Sequence, residues 1–396
     1  MTSLLLVLHL RATGTSGNIN IEAQAHNGLR LWLKHFKQVT LACLKVDHVN
    51  ELELPLSTIE GADRLRFVGL PEAWLPHHFF AKLPSVSKQL GEEIDRCEHL
   101  QFAIGGLWGD WSSVAAIIAT AKKRRFSVWT DHVESDTARA KAFSKRGISR
   151  LYTRATAALM APYEKAIIRK SKLGLFHGAD CYEAYSGYCG NPHLVHDIHI
   201  GSGQHISEHA LRERLNSRAG RPLRIAYAGR AAPEKGPLDW VRAITQARQS
   251  VDVTGTWFGT GPDMSAAQSL AAELNAPVSF PGVLPHFQLL DTLQTFDAFA
   301  FCHKTLESPR CLIEALACGL PIIGYRSHYP EELLAKYPGG ILVERNSIDG
   351  LAGAIASLAD DRHLAALSVA ARQSGAGFTD EAVFAHRADL IKSIAV

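Results

Sequence analysis

The chain has 396 residues, 46% of them hydrophobic and 20% charged, with a formal net charge of +3. That length is more than one ordinary core needs and suits two domains. So small a charge makes no case for a nucleic-acid partner, and no apolar run is long enough to span a bilayer.

The opening MTSLLLVLHL lacks a basic leading segment and runs at once into Gly14 and Gly17. It reads as a buried first strand and a turn, not as a signal peptide. QVTLACL, FAIGGL, FSVWT and LGLFHG continue as strands of a first unit. IAYAGR, VTGTWFG, VSFPGV, AFAFC, PIIGY and GILVE read as strands of a second, with helical patterns between them such as 238–249, 264–274 and 309–318. Strands alternating with helices imply parallel sheets covered on both faces. The polar, glycine-bearing stretch 199–222 marks the boundary, giving domains 1–204 and 205–396. The first holds 24 basic against 19 acidic residues and the second 18 against 20, so the basic excess lies in the first.

Seven cysteines, an odd number with no CxxC pair, fit a reducing cytoplasm and argue against a zinc site or a disulfide framework. NPHLVHDIHIG, with His193, His196 and His199, reads as a strand entering the linker rather than a metal site. In SVWTDHVESD, Asp131 and His132 follow a strand; a polar pair there can orient a hydroxyl or act as acid and base. Trp108 and Trp111 suit either an acceptor-side surface or the core. Residues 139–172 carry ten Lys and Arg against one acid, Glu164, interleaved with Leu151, Ala155, Leu159 and Ile167. That pattern suits a solvated basic helix, or one lying on an anionic membrane or receiving a lipid pyrophosphate.

The second domain carries four motifs. In IAYAGRAAPEKGPLDWVRAI a strand ends at Gly229, and a turn bears Arg230 and Lys235. Two cations at a glycine turn suit a diphosphate, both bound and leaving. WFGTGPDM holds Gly259 and Gly261, and VSFPGVLPHFQL ends a strand near Val283, where backbone groups can meet a nucleobase. In LESPRCLIEALACGLPII, Ser308 and Pro309 signal a helix start, and Gly319 and Pro321 a stop. The amides of Arg310, Cys311 and Leu312, with Ser308, would face an anion. Glu314, about one turn further in, is placed to accept hydrogen bonds from sugar hydroxyls.

The order GRxxxEKG, GxGP, FxG and an acidic pair before EALACGLP resembles the carboxyl-terminal domain of glycosyltransferase family 4. Here it reads Gly229–Arg230 with Glu234–Lys235–Gly236, then Gly259 and Gly261, Phe280 and Gly282, and Glu307 and Glu314. About 120 residues match closely, the remainder by layout only.

The resemblance implies the α/β GT-B fold: two Rossmann-like domains with parallel sheets facing a central cleft, the last helix packing back on the first domain. It implies a retaining hexosyltransferase using a nucleoside diphosphate sugar, UDP before GDP, without metal or other cofactor. The acceptor would be a saccharide or lipid-linked saccharide of bacterial polysaccharide synthesis, met in the cytoplasm or at the inner membrane face. Arg230 and Lys235 would hold the diphosphate, Glu314 the ribose and Glu307 the donor sugar. The turn with Gly14, Gly17 and Asn18, together with His132, would line the cleft, Gly17 towards the donor and Gly14 and Asn18, with Trp108, towards the acceptor. One departure is that six residues, not the family's seven, separate Glu307 from Glu314; seven would start at Leu306. Either the loop is effectively one residue shorter or Glu307 has another task. A nucleotide-sugar epimerase, or a nucleotide-sugar-binding protein without turnover, would share the architecture.

Overall fold

The computed structural model describes residues 2–15, 18–47, 53–143, 146–305 and 307–394, so Gly17 and Leu306 lie outside the described residues. Met1–His199 with Asp380–Val396 form one unit and Ile200–Thr379 the other.

In the first unit β1 (Ser3–Thr15) pairs back on β2 (Asn18–Glu22), followed by α1 (Ala23–His35), β3 (Gln38–Lys45), β4 (Glu53–Pro55) and β5 (Leu65–Leu70). Then come α2 (Pro76–Arg96), β6 (His99–Ala103), α3 (Trp111–Ala121), β7 (Ser127–Thr130), α4 (Glu134–Phe143) and α5 (Gly147–Ile168). β8 (Leu173–His177), α6 (Gly178–Tyr185) and β9 (Pro192–Val195) complete it. The parallel strands lie in the order β5-β3-β1-β6-β7-β8-β9, while β2 pairs antiparallel with the outer end of β1 and β4 pairs antiparallel with β2. The chain moves from β1 outward to β5, then returns to the other side of β1 as β6. Open α/β sheets bind ligands beyond strand ends at such a reversal.

Alternate residues of β1 enter opposite cores. Leu5 and Val7 pack with Val86, Leu90 and Val114 of α2 and α3. Leu4 and Leu6 pack with Leu29 and Trp32 of α1 and with Phe384, Ala388 and Ile391 of the last helix, Asp380–Ser393. A sheet buried on both faces needs continuous apolar strands, which is why these runs were legible. β5 was not expected: Arg66 and Gly69 interrupt LRFVGL, and Arg66 leaves the sheet edge to meet Glu93 at 2.9 Å. The expected turn at Gly14 is instead the arm of a hairpin, with Gly14 opposite Ile19 and Asn18 opposite Thr15.

The second unit opens with α7 (Glu208–Asn216) and runs β10 (Leu223–Ala228), α8 (Pro237–Ala247), β11 (Val253–Phe258), α9 (Met264–Glu273), β12 (Val278–Gly282) and α10 (His286–Leu293). β13 (Ala298–Phe301), α11 (Arg310–Ala317), β14 (Ile322–Tyr325), α12 (His328–Leu334), β15 (Gly340–Val343), α13 (Ile348–Ser357) and α14 (Asp361–Gly375) follow. Its sheet is parallel in the order β12-β11-β10-β13-β14-β15, so the reversal falls between β10 and β13.

Candidate functional site

The loops after β10, β11 and β12 are tied edge to edge. Gly229 N–H donates to Phe258 O at 2.9 Å, Gly259 N–H to Gly282 O at 2.7 Å and Ala231 N–H to Thr260 O at 2.9 Å. Gly259 has φ +131°, and a Cβ on it would sit 2.1 Å from the Gly229 carbonyl oxygen. The turn therefore requires glycine to let two backbones meet. Gly261 and exposed Val283 flank the same loops.

Lys235 ends a short 3-10 turn, and Gly236 follows at φ +64°. A Cβ there would lie 2.5 Å from the Cys302 carbonyl, so the loops after β10 and β13 touch at that point. Their contact brings Lys235 Nζ to 2.5 Å from Glu307 Oε2, with both side chains largely buried. Behind them is a chain of neutral groups. Tyr227 O–H lies 2.8 Å from His303 Nε2, and His303 Nδ1 lies 3.5 Å from Glu307 Oε1. Burial first, and then Lys235, hold the His303 pKa well below its ordinary value. His303 is therefore neutral, and a proton on Nδ1 suits both neighbours. Arg230, by contrast, is exposed and makes no ion pair among the described residues.

Ser308 does not cap α11. The helix starts at Arg310 with Pro309 in the N-cap position at ψ 123° and no capping side chain. Proline disfavours helical geometry in the residue before it. Pro309 is itself extended, so Ser308 is pushed one place too far back for its hydroxyl to reach the first-turn amides. Ser308 is nonetheless buried beside this helix start. Leu312 leaves the expected anion-facing set, because its amide donates to Pro309 O at 3.2 Å in a tight first turn. Arg310 and Cys311 supply the remaining amides that no intrahelical carbonyl can take. At the far end Gly319, φ +65°, closes the helix: its N–H meets Leu316 O and the Leu320 N–H meets Ala315 O, both at 2.9 Å.

Glu314 is only 5% exposed, on a helix otherwise lined by apolar residues. Its Oε1 lies 2.8 Å from His286 Nε2 at the start of α10. Burial alone would lower the His286 pKa; the Glu314 hydrogen bond and charge override it, against opposition from Arg310, and the net shift is upward. His286, His303 and Tyr227 were missed in the sequence. His286 stood in VSFPGVLPHFQL without any spacing that links it to Glu314.

In the first unit Asp131 and His132 follow β7, 4.0 Å apart and about half exposed. Trp108 packs edge-on against Phe79 and Phe80, with ring centroids 6.0 and 5.6 Å away. Trp111 is core, its indole N–H donating to Pro71 O at 2.8 Å. The expected single apolar stripe on α5 is two stripes. Thr153, Ala157, Met160, Glu164, Ile167 and Ile168 are buried, whereas Ile148, Leu151, Tyr152 and Leu159 are solvent-exposed. Lys165 and Arg169 lie over the Tyr188 ring, at 4.6 and 4.8 Å.

Residues 210–374 match the family described as glycosyl transferases group 1. Over 175 residues, 41% of this chain and 46% of the relative, the chain is 29% identical to a GDP-mannose-dependent alpha-(1-6)-phosphatidylinositol monomannoside mannosyltransferase of Mycolicibacterium smegmatis. It is 27% identical over 158 residues, 39% of this chain and 37% of the relative, to a 2-deoxystreptamine N-acetyl-D-glucosaminyltransferase of Streptomyces fradiae. The matched stretch thus spans less than half the length of these curated relatives. Among solved structures, sucrose-phosphate synthase from Thermosynechococcus elongatus superposes with TM-score 0.70 at 17% identity, covering 100% of this chain and 99% of that one. Anabaena Alr3699/HepE in complex with UDP gives TM-score 0.69 at 15% identity, covering 100% of both. At such identities the likeness shows the fold, which is GT-B.

Proposed function

We propose that the protein, whose residues 210–374 match the group 1 glycosyl transferases, moves a hexose-type sugar from a nucleoside diphosphate sugar to a saccharide or lipid-linked saccharide, with retention at the anomeric carbon. The observation that carries this reading is the meeting of Lys235 and Glu307 at the strand reversal of the second sheet. An ammonium has three donors. One meets Glu307 and two remain for diphosphate oxygens, whose charge Lys235 offsets on binding and on departure. Exposed Arg230 adds a second cation, and the first-turn amides of α11 add fixed positive dipole. Glu314 accepts from the ribose hydroxyls, and Glu307 orients the donor sugar. In this reading the leaving phosphate oxygen takes the proton of the attacking hydroxyl, and no metal takes part.

UDP is the proposed nucleotide, and the GDP-mannose dependence named for the M. smegmatis relative makes GDP the alternative. Thermal unfolding with UDP, GDP, ADP and their sugar conjugates decides between them. One nucleotide is expected to stabilise by ~3 kcal/mol at a hundredfold excess over its dissociation constant. No stabilisation by any of them would refute the nucleotide-sugar reading.

The exposed stripe of α5 supports a lipid-linked acceptor. Ile148 is 88% exposed and Leu151 70%, with Arg150 and Arg154 alongside. Apolar residues flanked by arginines suit an anionic bilayer surface. No described helix is long and apolar enough to cross a membrane. The protein is expected to float with phosphatidylglycerol vesicles but not with phosphatidylcholine vesicles, and Leu151→Glu with Arg154→Glu is expected to abolish flotation. Equal behaviour on both lipids would remove the membrane contact.

A further inference from the structure

The strand reversal of the first unit also carries an acid–base pair, and the reaction above leaves it unused. β1 has a register shift between Val7 and Arg11, and His9 sits within it. Such bulges turn a side chain out of the regular alternation and recur beside active sites. The start of α3 is pinned over this point, because the Ser112 hydroxyl donates to Val7 O at 2.9 Å. Asp110, the N-cap of α3, is 1% exposed. Its Oδ1 lies 2.9 Å from both His9 Nε2 and the Ser113 amide. Its Oδ2 accepts from the Gly105 amide at 3.2 Å and from the Ser113 hydroxyl. So bound, the carboxylate cannot turn away from His9. About a third of the His9 side chain, 31%, stays accessible. Its Nδ1 has no hydrogen-bond partner among the described residues.

The charged groups acting on His9 are Asp110, Glu134 and Asp131. Glu134 lies across Gly105, where a Cβ would sit 2.7 Å from its Cγ. Tyr163 and Glu164 stand in the field of Asp110 from α5. Burial lowers the His9 pKa, and Asp110 first, then Glu134 and Asp131, more than reverse it, leaving it raised above 6.5. Asp110 itself, despite burial, stays below its ordinary value through His9 and Ser113.

These facts select a ligand chemistry. With Nε2–H held by Asp110, the imidazole presents Nδ1 alone. Neutral, Nδ1 accepts a hydrogen bond; protonated, it donates one. A hydroxyl serves both states, since it donates and accepts. An anion would be repelled by Glu134 and Asp131, whereas further hydroxyls would find acceptors there.

We propose that His9, held by Asp110 at the reversal between β1 and β6, binds a hydroxyl of the saccharide acceptor. Only the word acceptor rests on the glycosyl-transfer reading; the saccharide site does not.

The test follows histidine ring resonances by NMR while methyl α-mannoside, methyl β-glucoside, methyl α-glucosaminide or myo-inositol is added. The His9 signal is the one missing from His9→Gln, a partly exposed position where the fold should survive. At least one polyol is expected to move it, with millimolar affinity, and Asp110→Asn should weaken the response. In turnover, His9→Gln is expected to raise the saccharide KM by ~10-fold, as for one lost hydrogen bond, leaving the KM for nucleotide sugar unchanged. A merely structural role would not split the two constants. No movement of the His9 signal with any of the four probes, or an unchanged saccharide KM in His9→Gln, would overturn the proposal. A His9 response in a protein that binds neither UDP nor GDP would support this site and remove the donor reading instead.

Discussion

Lys235→Ala is expected to cost the protein both turnover and stability. Removing a cation aimed at a departing diphosphate typically lowers the rate by ~10²–10³-fold. The stability effect has a separate origin. Glu307, 10% exposed, would lose the ammonium 2.5 Å away. Breaking a buried pair from one side strands a charge, at ~3 kcal/mol, which lowers Tm by roughly 6–12 °C for a unit of this size. The double variant Lys235→Ala/Glu307→Gln separates the two effects. Taking out both charges leaves no stranded carboxylate, so stability should return while turnover does not. His303 adds a pH signature. In the native protein Lys235 helps keep it neutral. In Lys235→Ala it stands 3.5 Å from a bare carboxylate, and its pKa should rise. A histidine that gains a partner contributes stability when protonated and loses it as pH rises through the folded-state pKa. The variant should therefore lose less stability at acid pH than at ~pH 8. Calorimetric scans across pH read this directly; a pH-independent loss would mean that His303 does not take over from Lys235.

What the sequence showed and what it hid divide along one line. Strands such as Ile225–Ala226–Tyr227 and Ile322–Ile323 were legible because both faces of their sheet are covered, so every residue had to be apolar. The turns at Gly259 and Gly236 were legible because backbones approach there too closely for any Cβ, and the turn at Gly229 because a Cβ would strike the Tyr227 ring. Both are local demands, and local demands are written in consecutive residues. The pairs that make the sites are not local. Lys235 and Glu307 are 72 residues apart, His286 and Glu314 28, and His9 and Asp110 101. No spacing rule connects them; the strand order does. His9 was one of 19 histidines until a bulge and a helix cap met beneath it. The error at Ser308 was of another kind. A hydroxyl before proline matched the usual helix start, but the extended Pro309 moved the first turn one residue on. The two stripes of α5 were hidden because periodicity reports apolar spacing and not which stripe finds a core.

Glu314 and His286 should pull nucleotide binding in opposite directions. Glu314→Ala removes the acceptor proposed for the ribose hydroxyls. Charged hydrogen bonds of this kind contribute up to ~3 kcal/mol, so affinity should fall by ~10²-fold. His286→Ala should do the reverse. His286 Nε2 occupies Glu314 Oε1 at 2.8 Å, and a ribose hydroxyl has to displace it. Removing that competitor, at ~1 kcal/mol for one partly exposed hydrogen bond, should tighten nucleotide binding by ~5-fold. The unliganded protein should at the same time become less stable. The pH dependence fixes the sign. Glu314 raises the His286 pKa above its ordinary 6.5. The pair is therefore fully formed below 6.5 and weakens as pH climbs through the raised value. Native affinity should accordingly increase from ~pH 6 to ~pH 8, and His286→Ala should flatten that rise by lifting its acid end. Calorimetric titration with the stabilising nucleotide measures both. If His286→Ala binds more weakly at every pH, then His286 is a partner of the nucleotide rather than its competitor, and Glu314 needs it to present the ribose-binding oxygen.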